Sequence, residues 1–323
     1  MRSIRPLVAT LALALAIPAG ATSCFAQTWP QRTVRVIVPL PPGTGMDISA
    51  RLFTDRLAGK WRQSVVVENV PGSDGILAAR EFVSRRDNHT LLYSFAGLIT
   101  VNPLLHGKLP YDPTRDLVPI ATTSDNALAM AASTGLNIGS VAELEKLART
   151  RSSKLNWAAS PGIPYFAFAG FLKYAGLDMV YLPYRDFNPA FVDVGEGRID
   201  IMVAGIAPMV PHLRSGKIRL LAVLNRERTP VAPEVPTASE MGYPSLAFDG
   251  VTGFYGWRDI PDELKDRIAA DVRAVAADPT IAERLKPTGT VVRAGTPADF
   301  ADAIEKQRAK MVAVAGALGI KPQ

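Results

Sequence analysis

The stretch Val34–Asp47, Val-Arg-Val-Ile-Val-Pro-Leu-Pro-Pro-Gly-Thr-Gly-Met-Asp, constrains this chain more than any other. Its first five residues are β-branched apart from Arg35, which suits a strand covered on both faces. Gly43 and Gly45 let the backbone adopt φ > 0 or pass close to a ligand. Beyond them apolar residues recur at Ile48, Leu52, Phe53, Leu57 and Trp61, a period that predicts a helix with one buried stripe. Asp47 stands at the junction, where its side chain can cap orphan N–H groups. A loop that opens a helix in this way gathers backbone donors at the positive end of the helix dipole and can hold an anion such as a carboxylate. Strand-to-helix loops that bind nothing share the pattern, and this stretch leaves both readings open. It excludes two others. Gly43-Thr44-Gly45 lacks the third glycine of a dinucleotide fingerprint, whose place Ile48 takes, and no Gly-Lys-Ser/Thr follows for a phosphate loop.

Residues 1–26 read as a secretory signal peptide, with Arg2 and Arg5, an apolar run Leu7–Ile17 and small residues up to Ala26. The run of about 11 residues is short of the roughly 20 that span a membrane. Cleavage is expected after Ala26, which makes the chain periplasmic. Lipid attachment at Cys24 is the alternative, although Ala21 is not the large aliphatic residue such a site favours. The remaining chain has no cysteine, so disulfide and thiol chemistry are excluded. Losing two arginines takes the formal charge from +6 to +4. The basic residues are scattered and not interleaved with aromatics, so nucleic acid is not an expected partner. A mild positive surplus fits a receptor for anions. About 297 residues remain, enough for two lobes.

From Val34 to Leu92 the pattern runs strand, helix, strand, helix, strand, with a second strand at Ser64–Glu68, a glycine turn at Pro71–Gly75, a helix around Ile76–Arg85 and a third strand at Thr90–Ser94. That alternation predicts a parallel sheet with helices on its faces. Leu109–Pro119 carries three prolines and reads as an extended crossing. A second unit begins near Ala127. Ser140-Val-Ala-Glu143 is a capping box for a helix to Arg149. Leu155–Ala159 reads as a strand, Ser160–Tyr165 as a second Pro/Gly loop, and a helix follows to Ala175. Strands are expected at Met179–Leu182, Ile199–Val203 and Leu220–Asn225, with Pro189 in the first turn of a helix and another helix around Pro208–Arg214. The chain returns to the first unit near Phe248–Trp257. Helices follow from Pro261 to Ala276, near Ile281–Leu285, and from a cap at Thr296-Pro-Ala-Asp299 to Leu318. The expectation is two α/β lobes joined by crossings near Thr122–Asn126 and Phe248–Gly253, with 27–125 and 248–323 in one lobe and 126–247 in the other. Both Pro/Gly loops then point into the cleft between them, at the carboxyl ends of their strands.

Trp29-Pro, Val36-Ile-Val-Pro-Leu-Pro-Pro-Gly, Val66-Val-Glu-Asn, Leu109-Pro-Tyr-Asp-Pro, Pro183-Tyr-Arg, Gly197-Arg-Ile-Asp, Pro211-His-Leu-Arg-Ser-Gly-Lys-Ile-Arg, Val235-Pro-Thr-Ala-Ser-Glu and Gly319-Ile-Lys-Pro form a recognisable set. Through it the chain resembles the Bug receptors, the periplasmic solute-binding proteins of tripartite tricarboxylate transporters. The resemblance implies an α/β, type 2 periplasmic-binding-protein fold, with two lobes around a central cleft and two hinge crossings. It also implies a monomer without cofactor or enzymatic activity, which holds a small carboxylate and delivers it to membrane permease subunits. A membrane sensor kinase is the alternative partner.

The same resemblance implies that two loops grip the ligand carboxylate, largely through backbone N–H groups. They match Leu40, Pro41, Pro42, Gly43, Thr44, Gly45, Met46 and Asp47, and Ser160, Pro161, Gly162, Ile163, Pro164 and Tyr165. Several positions depart from the family pattern. Thr44 and Met46 replace a glycine and a threonine, and Ala96-Gly-Leu-Ile99 replaces a stretch rich in hydroxyls. The second loop has lost amides and hydroxyls, Asp186 and Phe187 follow Arg185, and Ala204 stands where an acid is usual. Polar groups buried without partners cost roughly 1–3 kcal/mol each. The expected ligand is therefore an apolar or aromatic mono- or dicarboxylate, with Phe95, Tyr165, Phe166 and Phe187 as walls, Ala96 beside them and Arg185 as charge partner.

Other chemistry is poorly supported. His89, His106 and His212 lack metal-ligand spacing. No Gly-x-Ser-x-Gly elbow exists, so an extracytoplasmic hydrolase is a remote alternative.

Overall fold

The structure, a computed structural model, describes residues 29–184 and 187–322. The expected signal peptide, Cys24, Arg185 and Asp186 lie outside the described residues. One sheet contains β1 (Val34–Val38), β2 (Val65–Asn69), β3 (Thr90–Phe95), β4 (Val118–Asn126), β10 (Gly250–Gly256) and β11 (Val291–Val292), in the order β11-β4-β10-β3-β1-β2. The other contains β5 (Leu128–Ser133), β6 (Asn156–Ala159), β7 (Val180–Tyr181), β8 (Ile201–Gly205) and β9 (Ile218–Val223), in the order β7-β6-β8-β5-β9. The expected parallel pairing holds for β2-β1-β3 and for β7-β6-β8. Every other pair is antiparallel, so both sheets are mixed.

Helices cover both faces of each sheet, which is why β1, β5 and β8 carry almost no polar residues, while Thr90, Tyr93 and Ser94 of β3 are buried. On one face of the first sheet lie α1 (Gly45–Trp61), α9 (Asp262–Ala276) and α10 (Pro279–Leu285), around Phe53, Leu57 and Phe254. On the other lie α2 (Ile76–Arg85), α3 (Gly97–Thr100) and the first half of α11 (Pro297–Leu318), around Phe82, Tyr255 and Phe300. The short α4 (Asn102–Leu105) follows α3. The second sheet has α5 (Val141–Thr150) and α6 (Ile163–Ala175) on one face and α7 (Asn188–Gly195) and α8 (Val210–Arg214) on the other.

Two helices tie the lobes together. α6 is apolar almost all round, the mark of a buried helix. α11 starts at a full capping box between Thr296 and Asp299 and runs from the first lobe to the second, where Met311, Val314 and Ala315 join the core around α6. A Cβ on Gly170 would stand 2.8 Å from Val314, so only glycine admits this approach. A helix-interior glycine costs about 0.5–1 kcal/mol relative to alanine. Each fully buried phenylalanine of α6 returns roughly 1.5–3 kcal/mol.

Three strands escaped the sequence reading: β4, β5 and the two-residue β11. β4 carries a proline and ends in Ser-Asp-Asn, and β5 reads Leu-Ala-Met-Ala-Ala-Ser, without a β-branched or aromatic residue. β5 is buried along its whole length between two helical layers, and that space admits small side chains. The capping box at Ser140 is half formed. Ser140 Oγ accepts from the Glu143 N–H at 3.2 Å, while the Glu143 carboxylate accepts from Gly139 instead of Ser140.

Register places the loops. β10 is antiparallel to both β3 and β4, so β4 ends at the same edge as β1 and β3. The chain then crosses at Ala127 into β5, whose first residue Leu128 pairs with Gly205, the last of β8. β6 runs parallel to β8, with Ala159 opposite Val203. The carboxyl ends of β1 and β3 in one lobe, and of β6 and β8 in the other, therefore all lie at the edges that meet at the crossings. Asn225 pins that junction. Its Oδ1 accepts from the Leu128 N–H at 2.7 Å and its Nδ2 donates to Asn126 O at 3.0 Å. The return crossing lies alongside, with Phe248 N–H donating to Leu224 O at 2.8 Å.

Candidate functional site

The first loop leaves β1 at Pro39 and enters α1 at Gly45. Its cap is Thr44 rather than Asp47: Thr44 Oγ1 accepts from the Asp47 N–H at 3.4 Å. The Asp47 side chain turns back and accepts the Gly43 N–H at 2.9 Å. It also accepts from Asn69 Nδ2 at 2.9 Å and from Arg51 Nε at 3.1 Å. Asn69 Nδ2 spends its other proton on Leu40 O at 2.8 Å. Burial alone would raise the pKa of Asp47, but bonds from Arg51, Gly43 and Asn69 outweigh it and hold the carboxyl below the usual range. The carboxylate is saturated and 3% exposed, so it braces the loop and has no capacity left for a ligand. Gly43 sits at φ +82°, which this fold-back needs. Among the described residues no acceptor meets the N–H groups of Gly45 and Met46.

The second loop leaves β6 at Ser160, whose N–H donates to Val203 O at 3.0 Å. α6 starts at Ile163, inside the stretch expected to be loop, because Pro164 fits its first turn. Gly162 caps it at φ +84°, with open space where a Cβ would stand. The N–H groups of Gly162, Ile163 and Tyr165 meet no acceptor among the described residues. Two helix starts, one per lobe, thus offer unspent donors at the edges joined by the hinge. Neither loop contains a lysine, arginine or histidine. An anion there would be met by amide dipoles.

The expected walls separate into two groups. Phe95 ends β3, half-buried beside Pro39, and lies over Gly97, where a Cβ would stand 2.9 Å from its ring. Tyr165 is half-buried and stacks on Trp157 with ring centroids 5.6 Å apart and planes at 25°, with Tyr181 edge-on at 5.1 Å. Both stay half-buried, Phe95 at the end of β3 against the first lobe's cores and Tyr165 in the first turn of α6 against the second lobe's core. Phe166 does not: it is fully buried in the core beneath α6, because consecutive helical residues point to different sides. Phe187 packs edge-on to Phe191 at 5.4 Å, in the cluster on the opposite face of the sheet from Tyr165. Met46, Ile163 and Pro164 also direct their side chains into the cores, so they can offer the cleft only backbone. Ala204 lies within β8 and packs against the α7 side. Ala96 is buried, and its carbonyl accepts the N–H groups of Ile99 and Thr100. Leu40 is half-buried, while Pro41 and Pro42 are exposed.

Sequence reading missed a polar chain beside the first loop. A Cβ on Gly45 would touch Thr288 at 3.8 Å. Thr288 Oγ1 lies 2.9 Å from Thr290 Oγ1, which donates to Asn126 Oδ1 at 3.1 Å, and Asn126 Nδ2 donates to Thr252 Oγ1 at 2.8 Å. Gly289, between the two threonines, sits at φ +75° where a Cβ would stand 2.4 Å from Ile206 of the other lobe. The Thr-Gly-Thr triplet is the only mark this leaves in the sequence.

Two α/β lobes joined by adjacent crossings, each with unspent amides at a helix start on its crossing edge, have the architecture of a two-lobed solute-binding protein. The chain belongs to the tripartite tricarboxylate transporter family of receptors, whose sequence profile matches residues 49–320. A UPF0065 protein of Bordetella bronchiseptica is 32% identical over 98% of this chain and 93% of its own length. Rpa4515 of R. palustris, solved with adipate, is 28% identical with a TM-score of 0.81, covering 91% of this chain and 100% of its own. MatC of Rhodopseudomonas palustris, solved with bound malate, is 28% identical with a TM-score of 0.75, covering 89% of this chain and 100% of its own. The fold and family expected from the motifs are thereby established.

Proposed function

We propose that the chain is a periplasmic receptor that captures a small carboxylate between its lobes and presents it to the permease subunits of a tripartite transporter. The reading rests on the two helix starts, one in each lobe, whose N–H groups at Gly45 and Met46, and at Gly162, Ile163 and Tyr165, meet no acceptor among the described residues. Hydrogen bonds to a charged group contribute about 1.5–3 kcal/mol each. A carboxylate that reaches both sets of donors gains that energy only when the lobes meet, so binding drives closure. Carboxylates bound in two structural relatives support the ligand class. In this reading 27–125 and 248–323 form one lobe and 126–247 the other, residues 1–26 direct export, and the receptor works as a monomer without catalysis.

The rest of the ligand is apolar or aromatic. With Met46 and Ile163 turned into the cores, this rests on Phe95 and Tyr165, the half-buried rings beside the two loops. Arg185 is the proposed charge partner for a second carboxylate. Adipate, with its methylene chain between two acids, fits such a lining better than a hydroxylated acid does.

Isothermal titration with adipate, benzoate, malate, citrate, aspartate and glutamate tests the reading. Heat from adipate or benzoate is expected. Binding of citrate, aspartate or glutamate, with none of the apolar acids, sinks the apolar assignment. Mass spectrometry of the recovered ligand should return it unchanged, and any turnover refutes the non-catalytic role.

A further inference from the structure

At the hinge one arginine is shared between the lobes. Arg293 continues the edge begun by β11, its N–H donating to Thr123 O at 2.8 Å. Its Nε lies 2.9 Å from Asp125 Oδ2 on β4. Its Nη2 pairs with Glu227, which follows β9 in the other sheet. A second pair spans the same gap in the opposite sense. Arg226 holds Asp249, at the return crossing, with Nε 2.5 Å from Oδ2, and its N–H reaches Asp249 Oδ1 at 3.3 Å. The five side chains line one pocket at the junction. Gln307 of α11 donates to Asp249 O at 3.2 Å, and Lys310 of α11 approaches from the same side, over the Phe248 ring at 4.1 Å.

We infer that Arg293 is a positioning residue for ligand capture: by gripping Asp125 of one lobe and Glu227 of the other, it sets the angle between the lobes in the ligand-free chain. The inference rests on the receptor reading above. Its physical basis is the unequal grip of the two contacts. Arg293 is bound through its backbone to β4, and Asp125 is only 16% exposed, so this contact travels with its lobe. Glu227 is 63% exposed and rides on the end of β9. Bending at the crossings therefore breaks the Glu227 contact first. A contact present in one arrangement and absent in another biases the equilibrium by its own free energy. Because Glu227 faces water, the bias is small, about threefold at low salt, and it is screened at high salt.

The test uses spin labels at Asp55→Cys and Lys146→Cys, exposed positions on α1 and α5, in a secreted chain with no native cysteine after Cys24. Interlobe distances are measured without ligand in the parent, R293Q, E227Q and the double variant, and adipate affinity is measured on each. Each single variant is expected to move the distance distribution and to change affinity about threefold in the same direction, with the double variant going no further. About 0.5 M salt should bring the parent to the variants' behaviour. R293K, which keeps the charge but not the fork, should restore part of the effect. Unmoved distances in both single variants, or additive effects in the double, overturn the inference. E227Q alters an exposed side chain and so tests the idea even where R293Q disturbs folding. Absence of adipate binding would count against the proposed ligand, and the ligand-free distances would still decide the role of Arg293.

Discussion

The Asp47 carboxylate accepts the Gly43 N–H at 2.9 Å, across the mouth of the helix it helps to open. An acid in the first turn of the helix opened by the proposed carboxylate-binding loop would repel the ligand if it were free. Here its charge is spent on Gly43, Asn69 and Arg51, and the amides of Gly45 and Met46 meet no acceptor among the described residues.

Asp47→Ala should strip partners from Gly43, Asn69 and Arg51 together. A loss of about 2–3 kcal/mol in urea unfolding is expected, with weaker carboxylate binding. Because the folded pKa of Asp47 is lowered, its stabilisation is present above the ordinary carboxylate value and is lost as pH falls through the folded one. Acid unfolding of the parent should therefore steepen below about pH 4, and the variant should lack that component. A variant as stable as the parent at pH 7 would refute the bracing role.

Gly162→Ala introduces no clash but forces a side chain onto φ +84°. About 1–2 kcal/mol of destabilisation is expected by calorimetry. The N–H groups of Gly162 and Ile163 would also re-aim, and carboxylate affinity should fall about tenfold, the equivalent of 1.4 kcal/mol. Unchanged affinity would show that these amides do not touch the ligand.

Neighbouring aromatics should separate stability from binding. Phe166→Ala opens a cavity in the second lobe's core and should cost about 3–5 kcal/mol. Tyr165→Ala removes a half-buried ring from its stack on Trp157, so a smaller cost, on the order of 1 kcal/mol, is expected. Affinity for an aromatic acid should suffer more from the Tyr165 change. The reverse order in binding would move the ligand wall elsewhere.

The hinge acid gives a pH signature of opposite sign to that of Asp47. Burial, then the charge of Asp249, with a smaller push from Glu227, raise Asp125 to about 6 against the pull of Arg293 and Arg226. The folded chain thus binds a proton that the unfolded chain releases, and stability should fall as pH rises from about 4 to 6. Asp125→Asn should flatten that slope, by on the order of 2 kcal/mol across the window. Urea midpoints measured from pH 4 to 7.5 check it, and identical slopes in both proteins would exclude Asp125 as the titrating group.

Much of the frame is legible in the order of residues. β1, the helix to Trp61, the turn into Ile76 and the box at Thr296 stand out because their signals are local: a β-branched run, a helical period, a cap three residues before its partner. The loops are legible for the same reason. What escapes such reading depends on partners distant in the chain. β4 and β5 are strands because a sheet and two helical layers enclose them, although their composition argues otherwise. Phe166 and Phe187 look like ligand walls because aromatics near a loop resemble a lining, and only packing reveals that they face the cores.

Sequence alone determined that two glycine-bearing turns would each open a helix, because backbone freedom and side-chain period are properties of neighbouring residues. Tertiary structure decided which donors those turns leave unspent. Asp47 is occupied by Asn69, 22 positions away, and Arg293 meets Glu227 across the hinge. Pairings of that range depend on how sheets register and lobes pack, and no local pattern encodes them.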